Sequence, residues 1–173
     1  HILRKRGLNP QPIAVQTHET TFNDTQLMQK AITLAENNYK SGKGGPYGAI
    51  IADAKGKILG EGVNGIASRC DPTAHAEIVA LRAAAASRGN YRLTGLHLYV
   101  TLEPCAMCAG AISLARIGKV VFAACDPKGG AVIHGARFFE QPTCHWRPEV
   151  EQDETAGETA SALLKDFFKA RRS

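Results

Sequence analysis

The chain has 173 residues, 44% hydrophobic and 21% charged, with 17 glycines, a balance that fits one folded domain with one active centre and excludes a largely disordered chain. No run approaches the ~18 apolar residues of a membrane span, and residues 1–7 lack the apolar core of a signal peptide, so a cytoplasmic protein is expected. The net charge of +5 suits a polyanionic partner without requiring one, and five cysteines, two of them in a Cys-x-x-Cys at Cys105 and Cys108, favour metal ligation over a disulfide framework.

Residues 1–22 mix basic, polar and proline positions without a period and read as a loosely ordered arm before a single domain at 23–173. Asn23 or Asp24 can cap a helix to about residue 41, with Leu27, Met28, Ala31, Leu34, Ala35 and Tyr39 at helical spacing and Gly42 to Gly45 ending it. Tyr47 to Ala52 and Lys57 to Val63, joined by the turn Asp53 to Gly56, predict a two-stranded hairpin, with Asn64 just past its end. Asp71 followed by Pro72 predicts the start of a second helix, which runs to about Ser87.

Leu96 to Leu102 reads as a buried strand, Pro104 opens a third helix that stops near Arg116 and Gly118, and Val120 to Ala124 is a further strand. A strand, helix, strand order of this kind implies parallel neighbours joined by a crossover, and the class is α/β. The glycine-rich loop after Asp126 has neither a Walker lysine nor a dinucleotide fingerprint and reads as a turn-rich loop. Thr155 to Arg172 closes the chain as an amphipathic helix, with Ala160, Leu163, Leu164, Phe167 and Phe168 inward and Lys165, Lys169, Arg171 and Arg172 outward.

Two short motifs carry chemistry. His75-Ala76-Glu77 sits at the start of the second helix and Pro104-Cys105-Ala106-Met107-Cys108 at the start of the third. Ligands of α/β sheets collect where helix N-termini converge beyond strand ends, so both motifs should face one crevice. Two thiolates and one imidazole fill three tetrahedral positions of a single zinc ion and leave the fourth open, and a water held there has a pKa of about 7. Glu77, two residues from the histidine, is placed to move protons between that water and a substrate. Two other readings are a redox Cys-x-x-Cys and a closed structural zinc site completed by Cys125, Cys144 or His145; both leave Glu77 without a task.

The stretches Pro72-Thr73-Ala74-His75-Ala76-Glu77 and Thr101-Leu102-Glu103-Pro104-Cys105-Ala106-Met107-Cys108-Ala109-Gly110-Ala111 resemble the cytidine and deoxycytidylate deaminase superfamily, in which a His/Cys/Cys zinc and a glutamate hydrolyse an amine from a base. That resemblance implies a three-layer α/β/α fold around a mixed five-stranded sheet. From about Leu27 onward, through Asn90 to Leu93, Arg116 to Gly118, Asp126 to Ala131, Arg137 to Phe139 and Asp166 to Arg172, the chain is most similar to the bacterial tRNA-specific adenosine deaminases.

What this second resemblance implies is inosine formation in a tRNA anticodon loop by a homodimer. Asn64 would hydrogen-bond the flipped base, Asp126 would lie by the ribose, Ala76 and Tyr47 would border the base, and Lys169, Arg171 and Arg172 would meet backbone phosphates. Asn64 and Asp126 are equally suited to plain turns, and the three basic residues to a solvated helix end. One stretch departs from the pattern: Gly44-Gly45-Pro46-Tyr47-Gly48-Ala49 looks like guanine deaminase. A free guanine or nucleoside deaminase is therefore the alternative enzyme, and a zinc-stabilised RNA-binding module without catalysis the alternative outside enzymes.

Overall fold

The structure is a computed structural model and describes residues 19–172; most of the arm expected over 1–22, and Ser173, lie outside the described residues. Helix α1 spans Asp24–Lys40. Asn23 caps it by a reciprocal pair: its side chain accepts from the Gln26 amide, and the Gln26 side chain accepts from the Asn23 amide, both at 2.9 Å. The last residues of the expected arm are tied down, since the Phe22 amide donates to the Gly56 carbonyl and Glu19 pairs with Lys57.

Strands β1 (Gly48–Ala52) and β2 (Ile58–Val63) form the expected antiparallel hairpin. β1 is buried along its whole length because helices cover both faces of the sheet, which is why it reads as an unbroken apolar run rather than an alternation. Helix α2 spans Ala76–Arg88, so it begins later than Asp71-Pro72 suggests. The Asp71 carboxylate is used locally: it accepts from the Thr73 amide at 2.9 Å and from the Thr73 hydroxyl at 2.7 Å, closing a turn before the helix. His75, in extended backbone, takes the N-cap position instead.

β3 (His97–Leu102), α3 (Ala106–Ala115) and β4 (Lys119–Ala124) follow, with β3 and β4 parallel as expected. Pro104 precedes the N-cap rather than opening α3; Cys105 is extended (φ −73°, ψ 175°) and holds the cap. Arg116 ends the helix in the left-handed region (φ 61°). A 3-10 turn at Phe138–Glu140, strand β5 (Glu149–Gln152) and helix α4 (Glu154–Arg172) complete the chain. The pattern alone did not locate β5, whose residues are exposed or only half-buried at the sheet edge and so carry no apolar signal.

The sheet runs β2-β1-β3-β4-β5, antiparallel across the first two pairings and parallel across the last two. This is the mixed five-stranded sheet implied by the resemblance. Ile50, Tyr99, Val121 and Ala123 pack with Leu27, Met28 and Ala160 on one face, while Ile51, Leu98, Val100 and Phe122 pack with α2 and α3 residues on the other. The result is three layers, α1 and α4 against α2 and α3. Gly62 sets the approach of α2: a Cβ there would lie 2.2 Å from the Ala76 carbonyl oxygen, so only glycine lets the helix start this close to β2. Phe168, expected inward, is 45% exposed because the end of α4 reaches the rim of the site rather than the sheet.

Candidate active site

The parallel strand β3 ends where α3 begins, and the close seating of α2 on β2 brings the second N-cap to the same crevice. His75 and Cys105 are these two N-caps. The His75 Nδ1 lies 3.6 Å from the Cys105 Sγ and 3.6 Å from the Cys108 Sγ, and the three ligand atoms all fall within 4.8 Å of one another. Tetrahedral zinc with bonds of about 2.3 Å to sulfur and about 2.0 Å to nitrogen would place its sulfur and nitrogen ligands about 3.6 Å apart. The residues fit the metal.

Among the described residues, no further histidine, cysteine or acidic side chain joins this group. Cys125 is exposed, and Cys144 is buried elsewhere against Ser113 and the Trp146 carbonyl. The alternative of a closed structural site therefore has no fourth ligand. Hydrogen bonding from Cys108 draws the Cys105 thiol down to about 5 against the opposing effect of burial, with help from the amides of Cys108 and Met107 and from His75. Cys108 is pushed up by that same hydrogen bond and by its burial. A bound dication between the two sulfurs would ionise both.

Glu77 lies in the first turn of α2 and is only 7% exposed. Burial raises its pKa above the ordinary carboxylate range, opposed by hydrogen bonds from its own amide and from Cys108. A carboxyl group whose proton is held more tightly in this way suits a proton shuttle rather than a fourth ligand.

A cavity of about 320 Å³ opens over this group, and Tyr47, Asn64, Ala76 and Asp126 line it together with His75, Glu77 and Cys105. Every residue the sequence assigned to the base or the metal thus meets there, except Cys108, which is fully buried beside His75 and does not line the cavity. Asn64 and Asp126 also make the turns that were their plainer reading. The Asn64 Oδ1 accepts from the Ile66 amide at 3.2 Å, and the Asp126 Oδ1 accepts from the amides of Lys128 and Gly129 at 3.2 and 3.0 Å. Both are held in fixed orientation at the mouth. The pKa of Tyr47 is raised by burial and by Asp126, and lowered by Arg171, so its hydroxyl stays a neutral donor.

Two clefts adjoin the cavity and share Tyr47 with it. One is bounded by Tyr39, Phe167, Phe168 and Arg171, the other by Asp126, Lys128, Phe168 and Arg172. Phe167 meets Tyr39 edge-on at 5.6 Å and Tyr47 at 6.5 Å, with the Arg171 guanidinium 5.3 Å from its ring centre. Arg171 and Arg172 therefore stand beside the mouth; Lys169 is exposed in the same last turn but lines neither cleft.

Sequence reasoning missed Glu103 as part of the site. Its side chain is fully buried beside the cavity and bonds the loop that follows β4. Burial pushes its pKa up, but hydrogen bonds from His134 and from the amides of Asp126, Val132 and Ile133 outweigh it and hold the carboxyl below its ordinary value. The one signal in the sequence was an acidic residue between apolar Leu102 and Pro104 at the end of a buried strand.

Residues 21–124 match the family of the cytidine and deoxycytidylate deaminase zinc-binding region. The chain belongs to this family of zinc-dependent deaminases. Among its curated relatives, the tRNA-specific adenosine deaminase of Agrobacterium fabrum is 47% identical over 73% of this chain and 82% of its own length. That of Haemophilus influenzae is 44% identical over 86% and 85%. A solved structure from a study of A-to-I editing by tRNA:A34 deaminases at the wobble position of transfer RNA superposes with a TM-score of 0.77 at 43% identity, covering 81% of this chain and 99% of that one. Guanine deaminase from Bacillus subtilis is also similar, with a TM-score of 0.60 at 33% identity, covering 88% and 96%.

Proposed function

We propose that the chain hydrolyses adenosine to inosine at the wobble position of a tRNA anticodon loop, acting in the cytoplasm as a homodimer with one zinc per subunit. The observation that carries this reading is a single cavity over a group of three metal ligands and a buried glutamate, with two arginines of α4 beside its mouth, in a chain so similar to proteins named for that activity. When bound, zinc supplies an activated water and Lewis acidity. Glu77 would carry a first proton from the attacking water to the ring nitrogen next to the amine-bearing carbon, and a second, taken from the newly attached hydroxyl, to the amine as it leaves as ammonia. Asn64, whose Oδ1 is engaged with the Ile66 amide, offers its amide N–H to the base, while Ala76 and Tyr47 border the ring and Asp126 faces the ribose.

A flipped base from a single-stranded loop costs least to unstack, and Lys169, Arg171 and Arg172 supply positive charge where the backbone would pass. The exposed apolar side chains Met107 and Leu114 on α3, the latter 82% exposed, support a subunit contact. Membership in a deaminase family, with Glu77 buried beside the ligands, favours chemistry over a zinc-stabilised binding module. A second reading, deamination of free guanine, is favoured by Tyr47 within Gly44 to Ala49 and by the likeness to guanine deaminase.

The test is product analysis with purified zinc-loaded protein on an anticodon stem-loop RNA and on guanine. Inosine in the RNA digest supports the tRNA reading. Ammonia from guanine with no inosine in the RNA overturns it in favour of the free base.

A further inference from the structure

The buried carboxylate of Glu103 gathers one loop onto the metal-binding end of β3. Its Oε1 accepts from the Asp126 amide at 3.0 Å, and its Oε2 from the amides of Val132, Ile133 and His134 at 3.1, 3.0 and 3.1 Å. The His134 Nδ1 completes the set at 2.7 Å from Oε1. Five donors on one carboxylate are one more than its roughly four lone-pair sites, so its accepting capacity is fully used. All come from residues that follow β4, whereas Glu103 stands two positions before a metal ligand.

The chain passes so near that Gly130 has no room for a side chain: a Cβ would lie 2.4 Å from the Glu103 Cδ and 2.5 Å from the Asp126 carbonyl oxygen. The Ala131 amide also donates to the Pro104 carbonyl at 2.9 Å, closing a second tie between loop and β3 end. Asp126 and Gly129 of this loop line the cavity. We propose that Glu103 is a positioning residue, whose carboxylate clamps residues 126–134 to the metal-ligand strand and so fixes the mouth of the substrate cavity. Both of its carboxylate oxygens are engaged by this loop, so although Glu103 borders the cavity its effect on the substrate runs through Asp126. The kinetic part of this inference rests on the tRNA reading above.

Glu103→Gln has the same shape but turns an amide NH2 toward donors. Hydrogen exchange should then speed by at least about tenfold at the amides of Val132, Ile133 and His134, with β3 and β4 amides unchanged. Zinc should stay at one per chain, and KM for the stem-loop RNA should rise about tenfold with kcat held within about threefold. Unchanged loop exchange, or a fall in kcat at constant KM, overturns the proposal. Should that variant fail to fold, His134→Ala removes only the ring donor. It should raise KM about threefold without changing kcat or zinc content, and an unaltered KM sinks the clamp. A wild-type protein that leaves the RNA unmodified defeats the tRNA reading alone, because the exchange measurement still decides on Glu103.

Discussion

Glu77 and Cys108 are both buried, and their burial sets what each can do. A carboxyl group whose pKa is raised by burial is fitted to exchange a proton, and Gln at the same position keeps the volume but cannot. Glu77→Gln should therefore retain zinc and bind RNA with wild-type affinity while turnover falls by about 10²–10⁴-fold. Metal analysis beside single-turnover rates checks this, and substantial residual turnover reassigns the proton shuttle. These residues, with His75 and Cys105, were legible in the sequence because metal chemistry imposes short fixed spacings at each of the two helix starts. Asn64 and Asp126 were legible only as turn residues that a family resemblance promoted; the structure gives both their turns and places both on the cavity. Glu103 was not legible, since its partners lie 23 to 31 residues further along the chain and pairing of that range leaves no local pattern.

At the scale of elements, the ligands are delivered by helix starts rather than by helix bodies. Both corrections to the expected boundaries point the same way: α2 begins at Ala76 and α3 at Ala106, each one residue after a ligand. Proline and aspartate upstream mark a turn as readily as a first helical position, so sequence placed the helices but not their first residues. The seating of α2 depends on Gly62. Gly62→Ala should push the Ala76 carbonyl away, lower stability by about 2 kcal/mol and weaken zinc retention by moving His75. Thermal melts with and without added zinc read both effects, and an unchanged affinity would show that His75 follows the metal rather than the strand. β5 stayed hidden and β1 did not for opposite reasons: an edge strand with exposed side chains needs no apolar residues, whereas a strand covered on both faces needs nothing else.

For the molecule as a whole, the two core clusters lie on opposite faces of the sheet, and the face built around Leu27, Tyr99 and Val121 contains no metal ligand. Chelation should accordingly lower Tm by more than about 4 °C yet leave a cooperative transition and native far-ultraviolet dichroism. Loss of all cooperative unfolding would instead mark the zinc as a folding requirement. On the proposed reading, the basic end of α4 supplies long-range attraction for RNA. RNA affinity should fall with salt, and Arg171→Ala and Arg172→Ala should each reduce the log-log slope by about 0.7 without altering kcat at saturating substrate. A slope that neither variant changes would place the phosphates elsewhere on the surface.

Tyr47 belongs at once to the cavity and to both clefts beside it, a septum in a branched chamber whose floor comes from other parts of the chain. The chemistry is anchored to two helix caps, while the chamber's outline is drawn by the hairpin entry, the loop after β4 and the final helix. On the proposed reading, a change at this septum reshapes the space offered to a base, while His75, Cys105 and Cys108 are held by other elements. On that reading the selection of a base and the holding of the metal are tasks of different segments of the chain, and Tyr47 belongs to the first of them.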